Sequence, residues 1–194
     1  MRTDVFTFGE RPPGDRDRGY SLIELLFAMA IFSTLATIAV VQLGAVRPGL
    51  VADGAMRVVI AQLNQARERA IANRRVIEVT FVGADAVRLT QRDLPSGTTV
   101  LATTSFEGGV GFGLAAGVPD TPDAFGNGSA ITFTGAPLLF NTDGTVIDAS
   151  GTPINGTVFV VLPNESRSLR AVTVLGATGR IRAYRWNGAV WTRV

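Results

Sequence analysis

At 194 residues the chain has room for one medium domain and an accessory element, and is too short for two full-sized domains. Its 46% hydrophobic and 18% charged residues, with a mean hydropathy of +0.28, exclude a disordered polymer. The formal net charge is only +2, and the absence of Cys and His removes disulfides, thiolate metal sites, thiol nucleophiles and the commonest general base.

Residues 1–19 are polar, contain Pro12-Pro13 and carry four Arg against four acids, so they cannot form the apolar core of a secretory signal and read as a soluble leader. Leu22 to Leu43 is then almost wholly apolar. That is near the length a helix needs, at about 1.5 Å per residue, to cross a hydrocarbon layer of about 30 Å. A buried core helix would show a polar face, and this run offers only Ser33, Thr34, Thr37 and Gln42. Arg11, Arg16 and Arg18 precede the span closely, so the positive-inside rule puts residues 1–19 in the cytoplasm and the C-terminal part outside.

Glu24 does not suit an ordinary anchor. An unpaired carboxylate at the centre of a membrane helix costs about 2.5–3.5 kcal/mol, and it calls for a cation. A cut between Gly19 and Tyr20 would supply one, because the new α-amino group would lie about one helical turn from Glu24.

The run Gly19-Tyr20-Ser21-Leu22-Ile23-Glu24-Leu25, followed by an apolar helix, resembles the type IV prepilin cleavage and methylation motif. The resemblance implies that a membrane prepilin peptidase cuts after Gly19 and methylates Tyr20, and that Glu24 guides docking of the helix into a filament. Tyr20 stands where the motif usually has Phe, and the leader is longer than many.

After Gly44 and Pro48-Gly49, apolar residues recur at Val51, Ala55, Val58, Val59, Leu63, Ala66, Ala70 and Ile71. This is helical spacing, so the pattern predicts an amphipathic second half of the helix over 44–75, loosened or kinked at the Gly and Pro rather than ended there. The period then changes to strands at 76–82, 86–92 and 98–104, followed by a Gly-rich loop over 105–129. Further strands are expected at 131–133, 138–141, 145–147, 158–162, 169–175 and 180–186. Asn187-Gly188 between RAYRW and AVWTR signals a type I′ hairpin. The Ala61–Val79 stretch, with Ala66-Arg67-Glu68-Arg69-Ala70-Ile71 at its centre, together with the C-terminal strands, resembles the head of the GspH/FimT minor pseudopilins. The expected fold is therefore α+β and type IV pilin-like: a cytoplasmic leader at 1–19, a transmembrane and assembly half-helix at 20–43, an amphipathic half at 44–75, and a β-rich head at 76–194.

Charge is uneven along the head. Residues 106–163 hold five acids and no Arg, whereas 164–194 hold six Arg against Glu165. Within the basic part, Gly179-Arg180-Ile181-Arg182 places two arginines on one strand face about 7 Å apart, near the spacing of successive phosphates. The motif resembles the Gly-Arg-x-Arg of FimT-like pilins, which implies DNA contacts from Arg180, Arg182 and Arg185. The competing reading is a solvated strand face in a chain whose 18 basic residues are all Arg.

The Gly-rich run at 108–113 lacks the strand-to-helix setting of a nucleotide loop, and Asp120, Asp123 and Asn127 do not fit the helix-loop-helix calcium spacing. With no His or Cys beside a nucleophile and no clear carboxylate pair, neither an enzyme nor a cofactor or metal is expected. The resemblance implies a minor pseudopilin of a type II secretion pseudopilus or a related type IV pilus. Its partners would be prepilin peptidase, other pilins or pseudopilins and the inner membrane, with the head in the periplasm. The alternative is a FimT-like pilus subunit that binds DNA for uptake. A single-pass anchored β domain that is never processed is the third reading.

Overall fold

The structure, a computed structural model, describes residues 20–133 and 137–194. The leader, with Gly19, lies outside the described residues. Among the described residues one α-helix, α1 (Leu22–Asn73), is followed by ten short strands and a single 3-10 turn at Ser166–Ser168, and the fold is α+β. The chain divides into two units, with the boundary between Leu43 and Gly44.

In the first unit, helical residues 22–43 are exposed on every side, with Phe27, Phe32, Ile38 and Val40 all more than half open. The three hydroxyls of this run turn back on their own helix. Ser33 Oγ donates to the Met29 carbonyl at 2.6 Å, Thr34 Oγ1 to Ile31 at 2.8 Å, and Thr37 Oγ1 to Ser33 at 2.8 Å. Polar atoms satisfied within the helix suit an apolar surrounding, where no water could replace those bonds.

The helical pattern runs through Pro48 without ending, as the resumed periodicity required. Within the second unit, α1 buries Ala52, Ala55, Met56, Val59, Leu63, Ala66 and Ala70 against the sheets, while Ile71, expected on that face, stays nearly half exposed.

Two antiparallel five-stranded sheets make up the rest of the head. The first has the order β3 (Thr98–Ser105), β2 (Ala86–Arg92), β1 (Ile77–Val82), β5 (Leu138–Phe140), β6 (Val146–Ile147). The second runs β10 (Trp191–Arg193), β9 (Arg180–Trp186), β8 (Arg170–Leu175), β7 (Gly156–Val161), β4 (Gly111–Phe112). Ile77, Val79, Val87, Leu89, Phe140, Val158, Val172 and Val174 from both sheets join α1 in one core. Burying each of the larger side chains contributes about 1.5–3 kcal/mol. The outer face of the second sheet has a core of its own, in which Val118 of the loop after β4 covers Phe159, Leu169, Tyr184 and Trp186.

Three expectations are corrected. The 105–129 segment contains β4, which pairs Gly111 with Val161 and Phe112 with Val160. Ile131 forms only a single bridge, to Val158, rather than part of a strand. The C-terminal hairpin is not a two-residue type I′ turn. Trp186 pairs with Trp191, so four residues form the loop, and of Asn187 and Gly188 only the glycine has positive φ, at 102°. Asn187 Oδ1 instead accepts the backbone N–H groups of Ala189 and Val190 at 2.9 and 2.8 Å, an Asx-type turn that takes the place of the tighter one.

Candidate functional site

Two places bring together the residues that the sequence marks. At the N-terminal end of α1, Tyr20 and Ser21 precede the helix, and Glu24 lies in its first turn, where a carboxylate favours the positive end of the helix dipole. The Leu25 N–H already reaches the Ser21 carbonyl at 3.1 Å, so the helical hydrogen-bond ladder starts at once. Tyr20 is 83% exposed. Among the described residues Glu24 has no ion-pair partner.

The second place is the basic face around β9. An open groove of about 670 Å³ lies between α1 and the end of β9, lined by Arg67, Arg180, Arg182 and Arg193 with Asn64 and Thr178 among its other residues. Among the described residues no Asp or Glu side chain lines it. The Nε atoms of Arg67 and Arg182 are buried and have no hydrogen-bond partner among the described residues. Gly179, at φ 61°, brings β9 so close to Gly144 that a Cβ there would lie 2.0 Å from its carbonyl oxygen. That tight turn sets where Arg180 begins.

The three arginines marked by sequence thus part company. Arg180 and Arg182 both line the groove, but so do Ile181 and Ala183 from the opposite face of the strand, so the groove runs along β9 rather than over one of its faces. Arg182 also extends to the nearly buried carboxylate of Asp123. Asp123 further accepts Thr173 Oγ1 at 2.6 Å and Tyr184 OH at 2.9 Å. Burial pushes the Asp123 pKa up, but the bonds from Thr173, Tyr184 and Arg182 outweigh burial and hold it below the usual carboxylate value. Burial, with the bond to Asp123, raises Tyr184.

Arg185 lies outside the groove, with its Nη2 at 2.8 Å from Asp53 Oδ2 on α1. The cause lies in the sheet register, which sets Arg185 directly opposite Arg170. Two like charges facing each other across a ladder destabilise it, and Asp53 offsets the repulsion by bridging them, taking Arg170 Nε at 2.5 Å on its other oxygen. Arg170 is only 3% exposed, and its remaining donors reach the carbonyls of Gly49, Arg167 and Leu169.

The sequence reading missed Arg67 and Arg193 as groove residues and Asp53 and Asp123 as internal counter-charges. Asp120 serves its own loop, accepting the N–H groups of Thr121 and Gly126 at 2.7 Å each.

Comparison with known proteins returns a match over residues 14–40 to the family described as the prokaryotic N-terminal methylation motif. No curated protein matches. Among solved structures, the minor pseudopilin EpsH from the type 2 secretion system of Vibrio cholerae aligns at a TM-score of 0.45 and 18% identity, covering 71% of this chain and 97% of its own. The chain thus carries the N-terminal methylation motif over residues 14–40, with a long apolar helix running on from that motif and an antiparallel β head after it.

Proposed function

We propose that the chain is a minor pseudopilin, a structural subunit of a type II secretion pseudopilus or of a related type IV pilus filament that contributes to protein secretion. The observation that carries the reading is Glu24, a carboxylate without a partner among the described residues in the first turn of an exposed apolar helix, within the matched methylation motif. Prepilin peptidase removes residues 1–19 on the cytoplasmic side of the inner membrane and methylates Tyr20. The helix anchors the subunit with its head in the periplasm. On assembly, Glu24 pairs with the α-amino group of a neighbouring subunit, which removes the cost of a bare carboxylate in an apolar bundle, and burial of the apolar helix stabilises the filament. Replacing Glu24 by Leu should leave membrane insertion intact and abolish incorporation into filaments sheared from cells. Normal incorporation of the Leu variant would refute this role.

A second reading is favoured by the arginine groove: a FimT-like pilus subunit that holds DNA for uptake. Four arginines line the groove with no Asp or Glu beside them there, and three of these, Arg67, Arg180 and Arg193, have no ion pair among the described residues, which suits a polyanion; each phosphate contact adds about 0.9 to the slope of log affinity against log salt. Full-length protein in detergent should bind duplex DNA at low salt and lose it steeply as salt rises. No binding at low salt removes this reading and leaves the structural one standing.

A further inference from the structure

Sheet edges expose unpaired N–H and C=O groups, and proteins usually shorten, charge or cover them. Three of the four edges in the head follow that rule: β4 and β6 have two residues each, and β10 has three, ending in Arg193. The fourth is different. β3 is an edge of eight residues, TTVLATTS, with no charge and no proline, and among the described residues no strand pairs with its outer side. Val100 on it is 58% exposed.

Beside this edge lies an apolar groove of about 430 Å³, between α1 and the end of β3, lined by Leu50, Val51, Ala55, Val58, Thr104 and Glu107 among others. The volume falls within the range of about 300–1,000 Å³ found for ligand clefts. Ala102 and Thr104 stand opposite the buried Leu89 and Val87, so they share the core-facing side of the sheet, the side on which α1 packs. The register shift in the β2–β3 ladder falls between Leu89 and Thr90, which leaves Ala102–Ser105 regularly paired with Leu89–Ala86. A strand added at about 4.8 Å beyond this part of β3 would send every second side chain over the groove.

From this open edge and the groove alongside it, we infer that the head binds an extended segment of another protein by β-strand addition to β3. Its main chain completes the ladder and its alternate apolar side chains fill the groove against α1. Backbone groups aligned along an edge are matched only by an extended chain, which fixes the conformation of the partner. A second copy of this chain fits poorly, because its β3 would offer the groove only Ala102 and Thr104, side chains too small to fill it. The favoured partner strand has leucine-sized residues at alternate positions, and Glu107 at the rim favours a basic residue at one end.

The test uses full-length protein in nanodiscs and a labelled peptide of about ten residues, alternating threonine and leucine and ending in arginine. Binding should slow hydrogen exchange at the amides of residues 98–105. The same peptide N-methylated at alternate positions keeps its side chains but loses its ladder bonds, and it should bind about tenfold or more weakly. Thr104→Lys should weaken the parent peptide while leaving the far-ultraviolet spectrum unchanged, and the N-methyl comparison on the unaltered protein holds even if that variant misfolds. Equal binding of the two peptides, absence of binding, or self-association of the protein that protects residues 98–105 without peptide would each overturn the proposal.

Discussion

Replacing Asp123 by Ala tests how the loop after β4 is fastened over the outer face of the second sheet. The carboxylate, 8% exposed, takes three donors: Arg182, Thr173 Oγ1 and Tyr184 OH. Thr173 and Tyr184 are buried, and stranding each hydroxyl costs about 1 kcal/mol, the low end for a buried unsatisfied group because the removed carboxylate leaves space for water. Arg182 is a quarter exposed and recovers part of its hydration, so its loss is about 1 kcal/mol rather than the several expected of a fully buried pair. The expected destabilisation is about 3 kcal/mol. Trp186 and Trp191, whose rings lie 5.3 Å apart beneath this loop, provide the fluorescence signal for denaturant unfolding, and the Trp191 indole bonds to the Pro119 carbonyl of the same loop at 2.9 Å. A shift below about 0.5 kcal/mol would refute the assignment of Asp123 as the fastening. Acid provides an independent check. A carboxylate whose folded pKa lies below its unfolded value adds stability that is complete above the unfolded value, near 3.9, and is lost as pH falls through the lower folded one. The wild-type head should therefore lose stability below about pH 4 faster than the Ala variant, and parallel acid profiles would contradict the pairing.

Asp53→Ala strands Arg170 and leaves it facing Arg185, so it should cost about 3–5 kcal/mol, whereas Arg185→Ala, which removes a nearly half-exposed partner, should cost under about 1 kcal/mol; denaturant midpoints of the two variants measure the contrast. Gly176→Ala would set a Cβ 2.2 Å from the Ile154 carbonyl oxygen and 2.7 Å from that of Val146, both rigid backbone. It should lower stability by about 3 kcal/mol or prevent folding, seen as a lowered Tm or loss of soluble protein. If the groove holds DNA, Arg67→Ala and Arg193→Ala should weaken binding and flatten the salt slope as Arg180→Ala does, with Arg185→Ala neutral; a fluorescence-anisotropy titration across salt decides it.

The parts of this fold that were legible in the sequence are those written in local periodicity. The apolar run before Leu43, the helical stripe after Pro48 and the alternation of β1, β2, β8 and β9 all depend on residues within a few positions of one another. β4 was not legible because two residues, one of them glycine, carry no period. The hairpin failed for a related reason: Asn187-Gly188 has the composition of a two-residue turn, yet the pairing of the two tryptophans sets a longer loop. The basic cluster divided along lines that only the register discloses. Nothing near Arg185 in sequence announces that Arg170 faces it or that Asp53, 132 positions away, lies against it. Arg67 belongs to a run that also reads as an ordinary helical surface, and only the packing of α1 beside β9 brings it to Arg180. Glu24 needed no packing to be noticed, because a charge among apolar residues stands out by composition alone.

Mass spectrometry of the protein purified from the membranes of its own cells tests the account most directly. The mature chain is predicted to begin at Tyr20 with a mass one methyl group above that of the unmodified residue. A chain that retains residues 1–19, or one that starts elsewhere, would contradict it.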